Sequence, residues 1–164
     1  MSADAETHPP HLPTGFSARE GELEVRYAVP GDFEQLDQLL ELLVDPSERR
    51  PAGRAAFLRI LADERRAVLV AARGTRLVGT LDLIVIDNVT HGGAPWAAVE
   101  NVVVDSSERR TGIASALMQS AFALAIGAGC YKLQLLSGAR RPDAHGLYES
   151  VGMDAPVRGF RRYF

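Results

Sequence analysis

Residues 97–118, Ala97-Ala98-Val99-Glu100-Asn101-Val102-Val103-Val104-Asp105-Ser106-Ser107-Glu108-Arg109-Arg110-Thr111-Gly112-Ile113-Ala114-Ser115-Ala116-Leu117-Met118, decide the fold of this chain. The β-branched run from Val99 to Val104, interrupted by Glu100 and Asn101, reads as a strand. Residues 105–110 are a polar turn. From Thr111 and Gly112 onward the apolar residues Ile113, Leu117, Ala121 and Leu124 recur at helical spacing. A strand, a turn and a helix N-terminus therefore follow one another without a gap.

That junction has a specific chemistry. The first turn of a helix leaves backbone N–H groups without intrahelical partners, and they carry the positive end of the helix dipole. A phosphate placed there meets donors already aimed at it. Gly112 and Ala114 leave little side chain in the way of a close ligand, and Arg109 and Arg110 add cationic charge. Arg109-x-x-Gly112-x-Ala114 reads as a pyrophosphate cradle. The two common nucleotide loops are absent: there is no Gly-x-x-x-x-Gly-Lys-Ser/Thr and no Gly-x-Gly-x-x-Gly after a strand.

The rest of the chain bounds the answer. Its 164 residues suit one domain with a real core, and 46% apolar with 24% charged residues is a globular composition. A net charge of −3 argues against a nucleic-acid partner. The single cysteine, Cys130, rules out an internal disulfide and fits a reducing compartment. No apolar run is long enough to span a membrane, and the N-terminus lacks an apolar signal core, so a cytoplasmic location is expected. The four histidines have no ligand spacing with Cys130, so no metal site is expected.

Residues 1–20 carry scattered prolines without periodicity and read as a flexible N-terminal tail, leaving 21–164 as the domain. A strand is expected over residues 24–28. Asp32 then reads as the N-cap of an amphipathic helix through Phe33, Leu36, Leu40 and Leu43 to about Val44. Asp45-Pro46-Ser47 breaks it, and a second helix is expected over 53–64. Residues 67–72 form a buried strand, Arg73-Gly74-Thr75-Arg76 a hairpin turn, and 77–86 the returning strand, in which Asp82 reads as solvent-facing or as a recognition residue. Residues 87–96 are a loop. After the helix of 112–127 come a strand at 131–137, a short helix at 143–151 opened by Pro142, and a final strand at 156–164.

The cradle motif resembles the Gln/Arg-x-x-Gly-x-Gly/Ala signature of the GNAT superfamily of acyl-CoA-dependent N-acetyltransferases. A second stretch, Ala144-His145-Gly146-Leu147-Tyr148-Glu149-Ser150-Val151-Gly152-Met153, is similar to the pattern that follows it in that family, with Leu147 and Met153 replacing the usual aromatics. The resemblance implies a mixed, largely antiparallel α/β (α+β) sheet of about six or seven strands flanked by about four helices. It implies a parallel, splayed strand pair that binds acetyl-CoA. The cosubstrate would lie along Val102, Val103 and Val104, with its pyrophosphate on Arg109, Arg110, Thr111, Gly112, Ile113, Ala114 and Ser115. It implies acetyl transfer to a primary amine, with no metal, and homodimers are common in the family.

The resemblance assigns Tyr148 as the acid that protonates the departing thiolate. A phenol with a pKa of about 10 can hydrogen-bond a sulfur anion and hand over a proton. An alkyl amine must first lose a proton, and Glu100 is the candidate base. A carboxylate inside an apolar strand is costly unless it has a partner or a task, although a solvent-facing strand-end glutamate is an equal reading. No Gly-x-Ser-x-Gly and no His-Glu-x-x-His occurs, so direct attack without an acyl-enzyme is expected. The alternatives are a non-catalytic acyl-CoA-binding regulatory module and a mononucleotide binder. The acceptor is not readable, because acidic residues such as Asp45, Asp82 and Asp87 and basic ones such as Arg140 and Arg141 point to opposite substrates.

Overall fold

The connection between β5 (Trp96–Val104) and β6 (Leu133–Leu135) sets the architecture. The helix α3 (Ile113–Gly127) returns the chain from the end of one strand to the start of the next, so the two must run parallel. Every other pairing is antiparallel: β1 (Ser17–Glu20), β2 (Leu23–Tyr27), β3 (Arg66–Arg73) and β4 (Arg76–Ile86) precede β5 in a six-stranded sheet whose order follows the sequence. Between β2 and β3 lie α1 (Phe33–Leu40) and α2 (Arg54–Leu61), and α4 (Pro142–Ser150) follows β6. The computed structural model describes residues 11–44 and 53–163.

Two cores sandwich the sheet. On one face Val68, Val70 and Ala72 of β3 pack with Phe33, Leu36, Leu39 and Phe57 of α1 and α2. On the other, Leu69, Ala71, Leu81 and Leu83 pack with Ile113, Leu117, Met118 and Ala121 of α3. β3 is therefore buried on both sides, which is why residues 67–72 read as an unbroken apolar run rather than an alternating one.

Several expectations need correction. Part of the tail expected over 1–20 belongs to the fold: Ser17–Glu20 is β1, Leu12 is 6% exposed, and Phe16 packs on Tyr27 with ring centroids 5.8 Å apart. The expected final strand is absent among the described residues of 156–163. Val157, Phe160 and Tyr163 are more than 80% exposed. Their three-residue spacing matches no single face of a pleated strand, whose side chains repeat every second residue. The strand expected over 131–137 is regular only over Leu133–Leu135, although the Tyr131 N–H donates to the Pro95 carbonyl and the Ala97 N–H to the Lys132 carbonyl just before it.

Asp32 does not cap α1 through its side chain. It is buried, accepting Arg26 Nη1 at 2.7 Å and Nη2 at 3.0 Å together with the Val29 N–H at 2.8 Å, and so closes the 3₁₀ turn Pro30–Asp32. α1 ends at Leu40 and continues as a 3₁₀ turn over Glu41–Leu43, while the break expected at Asp45-Pro46-Ser47 lies outside the described residues.

Candidate active site

β5 changes its relation to both neighbours at one level. Its register with β4 runs Asp82↔Glu100 and then Thr80↔Val103, so Leu81 faces two residues, Asn101 and Val102. This is a β-bulge, and Asn101 sits in it at φ 55°. On the other side, parallel pairing with β6 covers only residues 97–99 and stops there, although β5 runs on to Val104. Beyond Val99 the strands have parted.

A cavity of about 840 Å³ opens in that gap. Val102, Val103 and Val104 form its floor, the start of α3 one end, α4 and the loop before it the opposite wall, and Leu42 and Leu43 a side. Of the ten residues expected along the cosubstrate, Val102, Val103, Val104, Arg109, Arg110, Gly112, Ile113, Ala114 and Ser115 line this cavity. Thr111 does not. Its hydroxyl is spent on its own loop, donating to the Glu108 carbonyl at 2.6 Å.

The turn into α3 is built to leave cations and amides free. Asp105 accepts the Ser107 N–H at 2.9 Å and the Arg76 guanidinium at 2.8 Å, and these bonds, led by those from Ser107, hold its carboxyl down to about 2. Arg73 and Arg76 engage Glu108 at 3.3 and 3.4 Å. The β3–β4 hairpin thus neutralises the acids of the turn, and no ion pair among the described residues uses Arg109 or Arg110. Gly112, at φ 88°, supplies no side-chain cap to α3. The first backbone bond there is from the Ala116 N–H to the Gly112 carbonyl at 2.9 Å. The amides of Ile113, Ala114 and Ser115 come before it, on the cavity wall.

Across the cavity stand Arg140 and Arg141, giving four arginines around it, and then Pro142, Ala144, Leu147 and Tyr148 of α4. The phenol of Tyr148 is half-buried against the α3-side core. Burial pushes it above its ordinary range, Arg141 pulls it down and the charge of Glu100 raises it further, so it stays protonated at neutral pH. The sequence placed Arg140 and Arg141 only as general basic residues and Leu43 only as part of a helix stripe, and it did not single out Leu42. An arginine pair directly before a proline-opened helix was the signal available for the former.

Glu100 is exposed and does not line the cavity. It lies on the sheet face opposite the α3 core, because its neighbour Val99 points into that core. Asp82 is partly buried rather than solvent-facing, and accepts the Asn101 amide at 2.9 Å. Cys130 is half-buried, and burial pushes its thiol up, away from the reactive thiolate. Among the described residues no cluster of three or more His, Cys, Asp or Glu side chains could hold a metal, and no helix is long and apolar enough to cross a membrane.

Comparison with known proteins agrees with this geometry. The profile of the acetyltransferase (GNAT) family matches residues 33–153. The chain is 31% identical over 145 residues to a glucosamine 6-phosphate N-acetyltransferase of Trypanosoma brucei brucei, covering 85% of this chain and 95% of that one. A solved protein of Agrobacterium tumefaciens str. C58, provisionally described as an acetyltransferase, superposes with a TM-score of 0.79 at 31% identity over 85% of this chain and 99% of that one. A transcriptional regulator of Bacillus halodurans C-125 does so with a TM-score of 0.79 at 30% identity over 87% and 99%. With the parted parallel strands and the family profile in agreement, the chain belongs to the GNAT family of acetyl-CoA-dependent N-acetyltransferases.

Proposed function

We propose that this protein transfers the acetyl group of acetyl-CoA to a primary amine by direct attack, with Tyr148 as the acid and Glu100 as the base. The observation that carries this is the placement of the two groups. Tyr148 belongs to the α3 side of the sheet and lines the gap, and Glu100 lies on the opposite face where β5 and β6 part. An amine arriving from the Glu100 face meets a thioester in the gap, with the leaving sulfur on the Tyr148 side.

The diphosphate rests on the amides of residues 113–115, with Arg109 and Arg110 beside it and Arg140 and Arg141 across the cavity. The pantetheine arm follows residues 102–104, where β5 has lost its partner. Backbone N–H groups exposed there donate to the thioester carbonyl as negative charge develops on it. Glu100 takes the proton that turns an ammonium into a nucleophilic amine, directly or through water. The nitrogen then bonds to the carbonyl carbon and the carbon–sulfur bond breaks. The nitrogen sheds a second proton, the thiolate takes the phenolic proton of Tyr148, and solvent restores the phenol. The products are an amide and free coenzyme A.

The Trypanosoma relative is named for a sugar-phosphate amine, which makes an amino sugar one acceptor to include in a screen. A second reading, a regulatory acyl-CoA-binding module, is favoured by the similarity to a transcriptional regulator. Thiol release from acetyl-CoA in the presence of amines, amino acids and peptides separates the two. A transferase releases thiol with at least one of them, and the Tyr148→Phe variant loses about a hundredfold or more in turnover with little change in acetyl-CoA affinity. A regulatory module binds acetyl-CoA and releases no thiol.

A further inference from the structure

Asp82 is a carboxylate that this mechanism leaves unused. It sits in the middle of β4, across from Val68 on β3 and Glu100 on β5. Val68 belongs to the core beneath α1 and α2, while the flanking Leu81 and Leu83 belong to the core beneath α3. Asp82 and Glu100 therefore share the face from which the amine approaches. Directly opposed residues of antiparallel strands hold their Cβ atoms about 4.5–5.5 Å apart, and like charges so placed repel.

The surroundings keep this pair rather than dissolve it. Asn101, turned at the bulge, donates to Asp82 Oδ2 at 2.9 Å, and the positive charge of Arg66 reaches the same carboxyl from β3. Burial pushes Asp82 above the usual carboxylate range, those two groups pull it back, and Glu100 adds to the rise. Tyr148, from α4, also feels the charge of Glu100. No side-chain hydrogen bond or ion pair among the described residues engages Glu100. No described residue therefore neutralises the pair fully, and an ammonium ion placed between the carboxylates would.

We propose that Asp82 is a specificity-determining residue of the transfer: together with Glu100 it presents a paired negative charge on the amine-entry face, so that acceptors arriving as ammonium ions are captured ahead of neutral amines. This rests on the transferase reading above. It selects alkyl amines over aryl amines at neutral pH and disfavours acceptors with a carboxylate next to the amine.

Phenethylamine and 4-ethylaniline test it, being isomers of which only the first is an ammonium ion at pH 7.5. The wild-type protein is expected to prefer phenethylamine in kcat/KM. Asp82→Asn keeps an oxygen that accepts from Asn101 and removes the charge. In that variant the preference falls about tenfold, carried by a higher KM for phenethylamine rather than by kcat, and Asp82→Glu restores most of it. A melting curve confirms that each variant is folded. Thiol release without a preference for the ammonium, or a preference that survives in folded Asp82→Asn, overturns the proposal alone. Absence of thiol release with every amine refutes the transferase reading and this proposal with it.

Discussion

Gly79 of β4 lies so close beneath Ile113, the first residue of α3, that a Cβ built on the glycine would stand 3.0 Å from the isoleucine Cγ2. The same atom would be 3.2 Å from Leu117 Cδ1 and 3.2 Å from the Val103 carbonyl oxygen. The missing side chain lets the helix that carries the phosphate-binding amides rest directly on the strand beside the cavity floor. The position of the cradle is thus set by a residue that does not line it.

Replacing Gly79 by alanine crowds the Ile113 and Leu117 side chains of α3, and the Val103 carbonyl of β5, being backbone, cannot rotate aside to make room. Overpacking of this kind costs about 1–3 kcal/mol. The Gly79→Ala variant is expected to melt several degrees lower and to bind acetyl-CoA more weakly. Thermal melting with and without saturating acetyl-CoA checks both effects, because the ligand-induced stabilisation should shrink as well.

Gly112 gives the converse case. Its Cβ would meet no protein atom within 4 Å, but φ of 88° is strained for any L side chain, and Gly112 lines the cavity. Gly112→Val is expected to cost about 1–2 kcal/mol of stability from the left-handed backbone, and to reduce affinity for coenzyme A by a larger factor than melting suggests. Calorimetry on the folded variant separates the two contributions.

The arginines should act through the diphosphate. Arg109→Ala is expected to raise the Kd for coenzyme A about tenfold, a loss of about 1.4 kcal/mol, and to leave the much weaker binding of acetyl-pantetheine, which lacks the diphosphate, unaltered. Equal losses for both ligands would show that the guanidinium contacts something else.

Asp105 makes a pH prediction. Its carboxyl is held down to about 2 from an ordinary 3.8. A group depressed in the folded state stabilises above its unfolded value, and that stabilisation is lost as pH falls through the folded one. The contribution is therefore complete above roughly pH 4 and gone below about pH 2. Asp105→Asn should lower stability at neutral pH and flatten the decline in stability across that acid window, read by denaturant titration at several pH values.

Much of this was legible in the sequence, and the reasons are local. The strand–turn–helix of residues 97–118 carries its own punctuation, so β5, the turn and α3 followed from spacing alone. Nine of the ten residues expected along the cosubstrate also line the cavity, because where the helix starts fixes which residues stand at its mouth. What sequence could not show was set by distant partners. Asp32 looks like a helix cap until Arg26, six residues earlier, claims it. Asp82 looks solvent-facing until Asn101, nineteen residues later, meets it across a bulge. Arg140 and Arg141 join Arg109 and Arg110 only because α4 folds back over the gap. The apolar residues of 156–163 misled because apolar content alone, without two-residue alternation, does not make a strand.

Calorimetric titration of the purified protein with coenzyme A, and in parallel with pantetheine, tests the central claim most directly. Coenzyme A is expected to bind with a Kd of roughly micromolar order, about −8 kcal/mol, and pantetheine about a hundredfold more weakly. No association with coenzyme A, or equal affinity for the two, would contradict a site whose grip lies in the amides beside Gly112 and the arginines around them.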